Sequence, residues 1–247
     1  MIIFENLNGH TVDLKAAGIY PLRLTVDSLT PRISTEIVEG MDGHIDLETT
    51  YEGRTMSASF FVESKYGVDY YQLRNLVYNL FNGKSYFYII DENDPSKRWK
   101  VKTSERYTVE KLSWIAGNFT VNLVSPSPYA ESVSMPHYQF KDKFSFYNNG
   151  DVVIDMRTQQ DTEIEFRGVS EGLTISNQTT GDTWSYDGST TADDVILLKG
   201  IRSTKNGTSI FGNTNKKLLT FAPQWNSVHI TGSTDFTLVF KTRFYFI

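Results

Sequence analysis

The sequence predicts a mainly β protein of two domains, and three observations carry that prediction. Phe and Tyr are abundant, 16 and 14 of 247 residues, and flat rings pack well on pleated sheets. One amphipathic helical pattern interrupts a chain otherwise written in short strands. The run Ser125-Pro-Ser-Pro128 then stops regular pairing, because proline lacks the N–H that a ladder needs. Strand patterns alone follow it, at the short, regular spacing of an antiparallel β-sandwich. The expected division is residues 1–133, a β domain with one helix, and 134–247, a β-sandwich.

In the first domain, Met1–Leu14 reads as a strand pair turning at Asn8-Gly9, a dipeptide suited to tight hairpins. Leu22, Leu24 and Val26 alternate with polar residues as a half-buried strand does. Thr30–Leu47 holds Pro31, Gly40 and Gly43 between modestly apolar arms, the composition of a long loop or projecting hairpin. Thr55–Val62 resumes as a strand. Leu73, Leu76, Val77, Leu80 and Phe81 then fall on one helical face, with Asp69 at the start and Gly83 placed to end the helix. The helix is expected over 68–82, with all five apolar residues packed on a sheet. Ser85–Ile90 and Arg98–Thr108 pair across a polar turn. Lys111–Trp114 and Asn118–Val124 pair across Ala116-Gly117.

The second domain is expected to hold strands at Tyr138–Tyr147, Val152–Met156, Thr162–Arg167, Gly172–Asn177, Asp182–Tyr186, Asp194–Lys199, Ser209–Phe211, Ser227–Thr231 and Phe236–Phe246. Turn signals recur at Asn149-Gly150, Thr180-Gly181, Asp187-Gly188 and Asn206-Gly207.

Charge narrows the function. The formal net charge is −5, whereas a dedicated nucleic-acid binder carries a basic excess that displaces counterions. The absence of cysteine rules out disulfide frameworks and thiolate metal sites, and fits synthesis in a cytosol. The N-terminus lacks the basic and long apolar regions of a signal peptide, and no apolar run approaches a membrane span.

Catalytic patterns are missing. The four histidines, His10, His44, His137 and His229, stand far apart, without metal-ligand spacing. Neither a phosphate-binding glycine loop nor a Gly-x-Ser-x-Gly elbow occurs. Asp91-Glu-Asn-Asp94 starts like a calcium loop, but Pro95 takes the third ligand position, so a polar turn is expected. Asp42, Asp46 and Glu48 are the carboxylates that glycoside hydrolysis would need, at a spacing that chance supplies readily. No catalytic residue, metal ligand or cofactor is therefore assigned. Aromatic stacking on a sugar is the stronger alternative. Trp184 and Tyr186 share one strand face, and Trp225 lies in the Ala222-Pro-Gln-Trp-Asn226 turn; these rings are either sugar platforms or core packing.

The order of motifs resembles a known family, the distal tail proteins (Dit) of siphophages, mainly of Gram-positive hosts. The carrying residues are Glu39-Gly-Met-Asp-Gly-His44, the strand Arg54–Val62, the helix Tyr70–Phe81, the strand–turn–strand Tyr86–Val101, and the ending Gly117-Asn-Phe-Thr-Val-Asn-Leu…Pro-Ser-Pro-Tyr129. In the second half they are Tyr147-Asn-Asn-Gly150, Ile175-Ser-Asn-Gln-Thr-Thr-Gly181 and Leu219-Thr-Phe-Ala-Pro-Gln-Trp-Asn226. The resemblance implies an N-terminal β-sandwich or split barrel with one helix and a projecting hairpin, and a C-terminal galectin-like sandwich.

It also implies a structural protein, not an enzyme: a homohexameric ring at the distal end of the virion tail, made in the bacterial host cytoplasm. Its implied partners are the tail tube protein, the tape measure protein, a tail-tip fibre or tail-associated lysin, and a receptor-binding protein. DNA would pass through the lumen without specific binding, and no membrane insertion is implied. The alternative is a lectin-like module recognising the host cell wall. Ile33, Ile37, Val38, Met41 and Ile45, apolar residues on a segment too loop-like to bury them, are the expected ring contacts.

Overall fold

The computed structural model describes residues 2–158 and 161–247, which form two compact units, residues 1–130 (with Ile247) and 131–246. The first unit contains β1 (Ile2–Asn6), β2 (Thr11–Val12), β3 (Ile19–Val26), β4 (Pro31–Glu36), β5 (Ile45–Tyr51), β6 (Arg54–Glu63), α1 (Gly67–Leu80), β7 (Phe87–Asp91), β8 (Lys97–Thr103), β9 (Glu110–Lys111) and β10 (Ala116–Ser125). Its sheet runs β2-β1-β7-β8-β10-β6-β3, with β9 pairing β10. The longest ladder joins β10 to β6, from Ala116↔Glu63 to Ser125↔Arg54.

Alternation along β6 buries Met56, Ala58, Phe60 and Val62, as period two requires. Phe60 stacks on Phe119, ring centroids 4.9 Å apart, and lies 5.2 Å from Phe81. Phe4, Phe87 and Tyr107 extend this aromatic cluster around Phe81. Such rings supply the large apolar areas that hold a sheet and a helix together.

The helix departs from expectation at one position. Tyr70, Leu73, Val77 and Phe81 are buried, but Leu76 is 38% exposed. At 100° per residue, Leu76 sits at the rim of the buried stripe, which centres on Tyr70, Leu73 and Val77. The helix also stops at Leu80, two residues before the expected end. Phe81 caps it with an N–H bond to the Val77 carbonyl, and the Asn82 side-chain amide donates to the Asn79 carbonyl at 2.8 Å. Gly83 follows with φ +74°, the left-handed geometry that lets a chain leave a helix.

A second difference concerns the β9–β10 turn. It falls at 112–115 instead of Ala116-Gly117, because Ser113 Oγ accepts the backbone N–H of Ala116 at 3.1 Å and closes the turn earlier. Ala116 and Gly117 are ladder residues.

The second unit contains β11 (Ala130–Ser132, of which Ala130 belongs to the first unit), β12 (His137–Phe140), β13 (Phe144–Asn148), β14 (Ile154–Asp155), β15 (Glu163–Gly168), β16 (Ser170–Asn177), β17 (Asp182–Thr190), β18 (Val195–Lys199), β19 (Arg202–Lys205), β20 (Thr208–Ser209), β21 (Thr220–Phe221), β22 (Gln224–Thr231), β23 (Phe236–Lys241) and β24 (Tyr245–Phe246). One sheet is β12-β23-β15-β18-β19-β20 and another is β13-β22-β16-β17. Their buried residues form a sandwich core in which Phe146 of β13 meets Phe240 of β23 edge-on at 4.6 Å. The expected single strand Tyr138–Tyr147 is broken at 141–143, so that β12 enters one sheet and β13 the other. A strand that switches sheets forms a corner of a sandwich.

Candidate assembly surface

The strands β4 and β5 form a two-stranded sheet of their own, in register from Pro31↔Tyr51 to Glu36↔Ile45 with a bulge between Ser34 and Thr35. The base is closed by the Glu52 N–H donating to the Thr30 carbonyl at 3.0 Å. Gly40 and Gly43, at φ +84° and +86°, make the connection, a conformation costly for other residues. Every residue of both strands is exposed. The structure places all five expected ring contacts, Ile33, Ile37, Val38, Met41 and Ile45, on this hairpin and in solvent, with Ile37 80% exposed.

Leu47 and Tyr51 join them as exposed apolar residues. Both continue the alternation of β5, a signal present in the sequence but ended too early at Leu47. A contiguous exposed apolar stripe of this kind marks an interaction surface. An isolated two-stranded ribbon is also marginal in water without something to pack on.

The carboxylates of the hairpin are equally open. Arg32 Nε lies 3.7 Å from Glu52, and His44 Nε2 lies 3.3 Å from Asp46, both pairs solvated. Asp42, Asp46 and Glu48 are all exposed to solvent. Among the described residues, no group of three or more His, Asp or Glu side chains is placed to hold a metal ion. The Asp91–Asp94 segment is a polar turn. Asp91 Oδ1 accepts from the Asn93 backbone, and hydrogen bonds from Ser96 and Lys97 hold the Asp94 carboxyl below its ordinary pKa.

Two of the three expected sugar-stacking rings are corrected. Trp184, 1% exposed, lies in the sandwich core and donates its indole N–H to Ser203 Oγ at 3.2 Å. Tyr186 is buried beside it on the same strand face. The two rings share a face, as the alternation predicts, but β17 turns that face inward, so neither ring is available to a ligand. Trp225 is 64% exposed and pairs edge-on with Tyr147, centroids 5.1 Å apart. Tyr147 was not foreseen, since cross-strand register is invisible in a single sequence.

The second-half motifs have a structural role instead. Asn148, Asn177 and Asn226 are fully buried, one from each motif. Asn177 Nδ2 donates to Asn226 Oδ1 at 3.0 Å and to the Thr220 carbonyl at 2.7 Å. Asn226 Oδ1 accepts the Ala222 N–H, while Asn148 Nδ2 reaches the Val152 carbonyl and Asn148 Oδ1 accepts the Gly150 N–H. Buried amides satisfied in this way pin irregular loops.

This geometry, a helix-bearing antiparallel β unit that carries a freestanding hairpin, has known counterparts. Residues 9–125 match the model of the phage tail protein RIFT-related domain, Sipho_tail. That model describes a domain of phage tail proteins, and its match lies within the first unit. The whole chain is similar to SPP1 Dit (gp 19.1), whose structure is described as a paradigm of the hub adsorption apparatus in phages infecting Gram-positive bacteria. The TM-score is 0.73 at 15% identity, over 99% of each chain. The resemblance to the distal tail proteins therefore holds, and the fold is theirs. A chain of the phage P2 baseplate in its activated conformation is more distant, at TM-score 0.47 and 8% identity over 98% of this chain and 97% of that one. No curated protein sequence matches.

Proposed function

We propose that this chain is a distal tail protein that assembles as a homohexameric ring and serves as the hub between the tail tube and the tail-tip or baseplate apparatus in host adsorption. The ring would stand at the distal end of the virion tail, in contact with the tail tube protein, the tape measure protein and the tail-tip fibre or lysin. It works by geometry and not by catalysis. The observation that carries this reading is the hairpin, a freestanding two-stranded ribbon on which seven large apolar residues are exposed. In a ring, each copy offers one surface and receives on another, a heterologous contact that closes by rotation.

The test is direct. Residues 31–51 are replaced by a short Gly-Ser linker, which the adjacent Thr30 and Glu52 can accept without strain on the unit. The parent chain, alone or with its tail tube protein, should give a hexamer mass in light scattering and six-fold rings in electron micrographs. The deleted chain should be a folded monomer. A hexamer that survives the deletion refutes the role of the hairpin, and a parent chain that remains monomeric in both settings refutes the hub.

A further inference from the structure

The charge of this chain is concentrated in one place. Residues 31–52 hold a single cation, Arg32, against six carboxylates, Glu36, Glu39, Asp42, Asp46, Glu48 and Glu52. The segment therefore carries a formal −5, the whole of the chain's net charge, and the remaining residues balance to zero. The ribbon is at once acidic and greasy. Two such ribbons repel one another, so edge-to-edge pairing of hairpins is disfavoured. Their receiver must offer apolar surface and positive charge together.

One patch on the same unit has that chemistry. The turn between β9 and β10 is fixed by Leu112 N and Ser113 N, both donating to the Ala116 carbonyl, at 2.9 and 3.1 Å. It holds Trp114 at its tip, 80% exposed, beside exposed Leu112 and Tyr71. The Lys111 ammonium lies 5.3 Å from the Tyr70 ring centroid, 5.4 Å from that of Tyr71 and 5.3 Å from that of Trp114. Arg74 sits 5.2 Å from the Tyr71 ring.

Among the described residues, neither cation forms an ion pair, and Arg74 Nε and the Tyr70 hydroxyl are buried without hydrogen-bond partners. The charge of both cations is therefore left for a carboxylate from outside to meet at the exposed rim of the patch. Aromatic rings with Lys and Arg are also the side chains that dominate interface energies.

We infer that the acidic hairpin of one copy docks on the Trp114–Tyr71–Lys111–Arg74 patch of the next. Apolar residues near the hairpin tip cover the rings, and its carboxylates meet the two cations. This inference rests on the ring-hub reading and names the surface that receives the hairpin. Donor and acceptor are different surfaces of one unit, which is what a closing ring needs.

Because the chain has no cysteine, engineered thiols report the contact without background. Full-length Met41→Cys and Leu112→Cys variants are mixed under oxidising conditions, with Met41→Cys plus Val169→Cys as the control. Val169 is exposed on the second unit. Disulfides form only where Cα atoms approach within about 7 Å. The Met41–Leu112 mixture should give covalent dimer well above the control, and a chain carrying both changes should give a ladder of oligomers up to the hexamer.

In parallel, Lys111→Glu should weaken self-association about ten-fold, since attraction becomes repulsion, and Glu39→Lys in the same chain should restore part of it. If hairpin deletion dissolves the ring while the Met41–Leu112 yield equals the control, or Lys111→Glu assembles like the parent, the hub stands and this acceptor patch is overturned. Preferential Met41–Met41 trapping overturns it in favour of hairpin pairing. A ring indifferent to hairpin deletion removes the reading beneath it.

Discussion

Strands β5 and β6 are neighbours in sequence, separated by Glu52-Gly53, yet they meet opposite fates. Both alternate apolar and polar residues. In β6 the apolar set of Met56, Ala58, Phe60 and Val62 is buried at 3% exposure or less. In β5 the corresponding Ile45, Leu47 and Tyr51 are all exposed. The ladders account for the difference. β6 is paired on one side by β10 and on the other by β3, and its inner face meets α1. β5 has only β4. Alternation announces that a strand has a face to bury; it does not say whether the cover comes from the same chain.

The comparison can be pressed in three ways. The largest effect is expected for Phe60→Ala, which removes a ring packed against both Phe81 and Phe119. Cavity formation there should cost about 3–5 kcal/mol, read as a lower denaturation midpoint with unchanged slope. A loss near zero would mean that β6 is not the core strand of its unit.

Leu76→Asp should cost about 1 kcal/mol or less, because the side chain is already part-exposed and a new carboxylate keeps its water. It borders a groove of about 550 Å³ lined also by Tyr20, Asp69 and Leu73. Destabilisation of several kcal/mol would show the groove to be closed in solution.

Met41→Ser should leave the thermal stability of the isolated chain within about 0.5 kcal/mol of the parent, while lowering the fraction assembled. Destabilised monomer would mean that the hairpin packs on its own unit, erasing the contrast between β5 and β6.

Much of the fold was legible. Proline at 126 and 128 marks the end of β10, and the helix was placed within two residues at its C-terminal end. These signals are local: a missing N–H or a periodicity of 3.6 acts within one element whatever surrounds it. The misreadings were relational. Leu76 lay at the edge of a stripe whose centre only the packed sheet defines. Trp184 and Tyr186 share a face, but which face points inward depends on the other sheet. The Trp114 turn was displaced by one serine hydroxyl, and with it went the patch of Lys111 and Arg74, whose members lie on α1, β9 and the turn after β9.

The sequence by itself determined the β-rich class, the amphipathic helix and a glycine-punctuated segment at 30–47, a long loop or projecting hairpin, that lies outside the core. Periodicity, proline geometry and charge density are properties of a few adjacent residues and survive without a partner. Only the tertiary structure decided which rings vanish into the sandwich, that Asn148, Asn177 and Asn226 pin its turns, and that Lys111 and Arg74 form no ion pair among the described residues. Each of those depends on residues far apart in sequence meeting within hydrogen-bond or van der Waals range, a distance that no reading along the chain can measure.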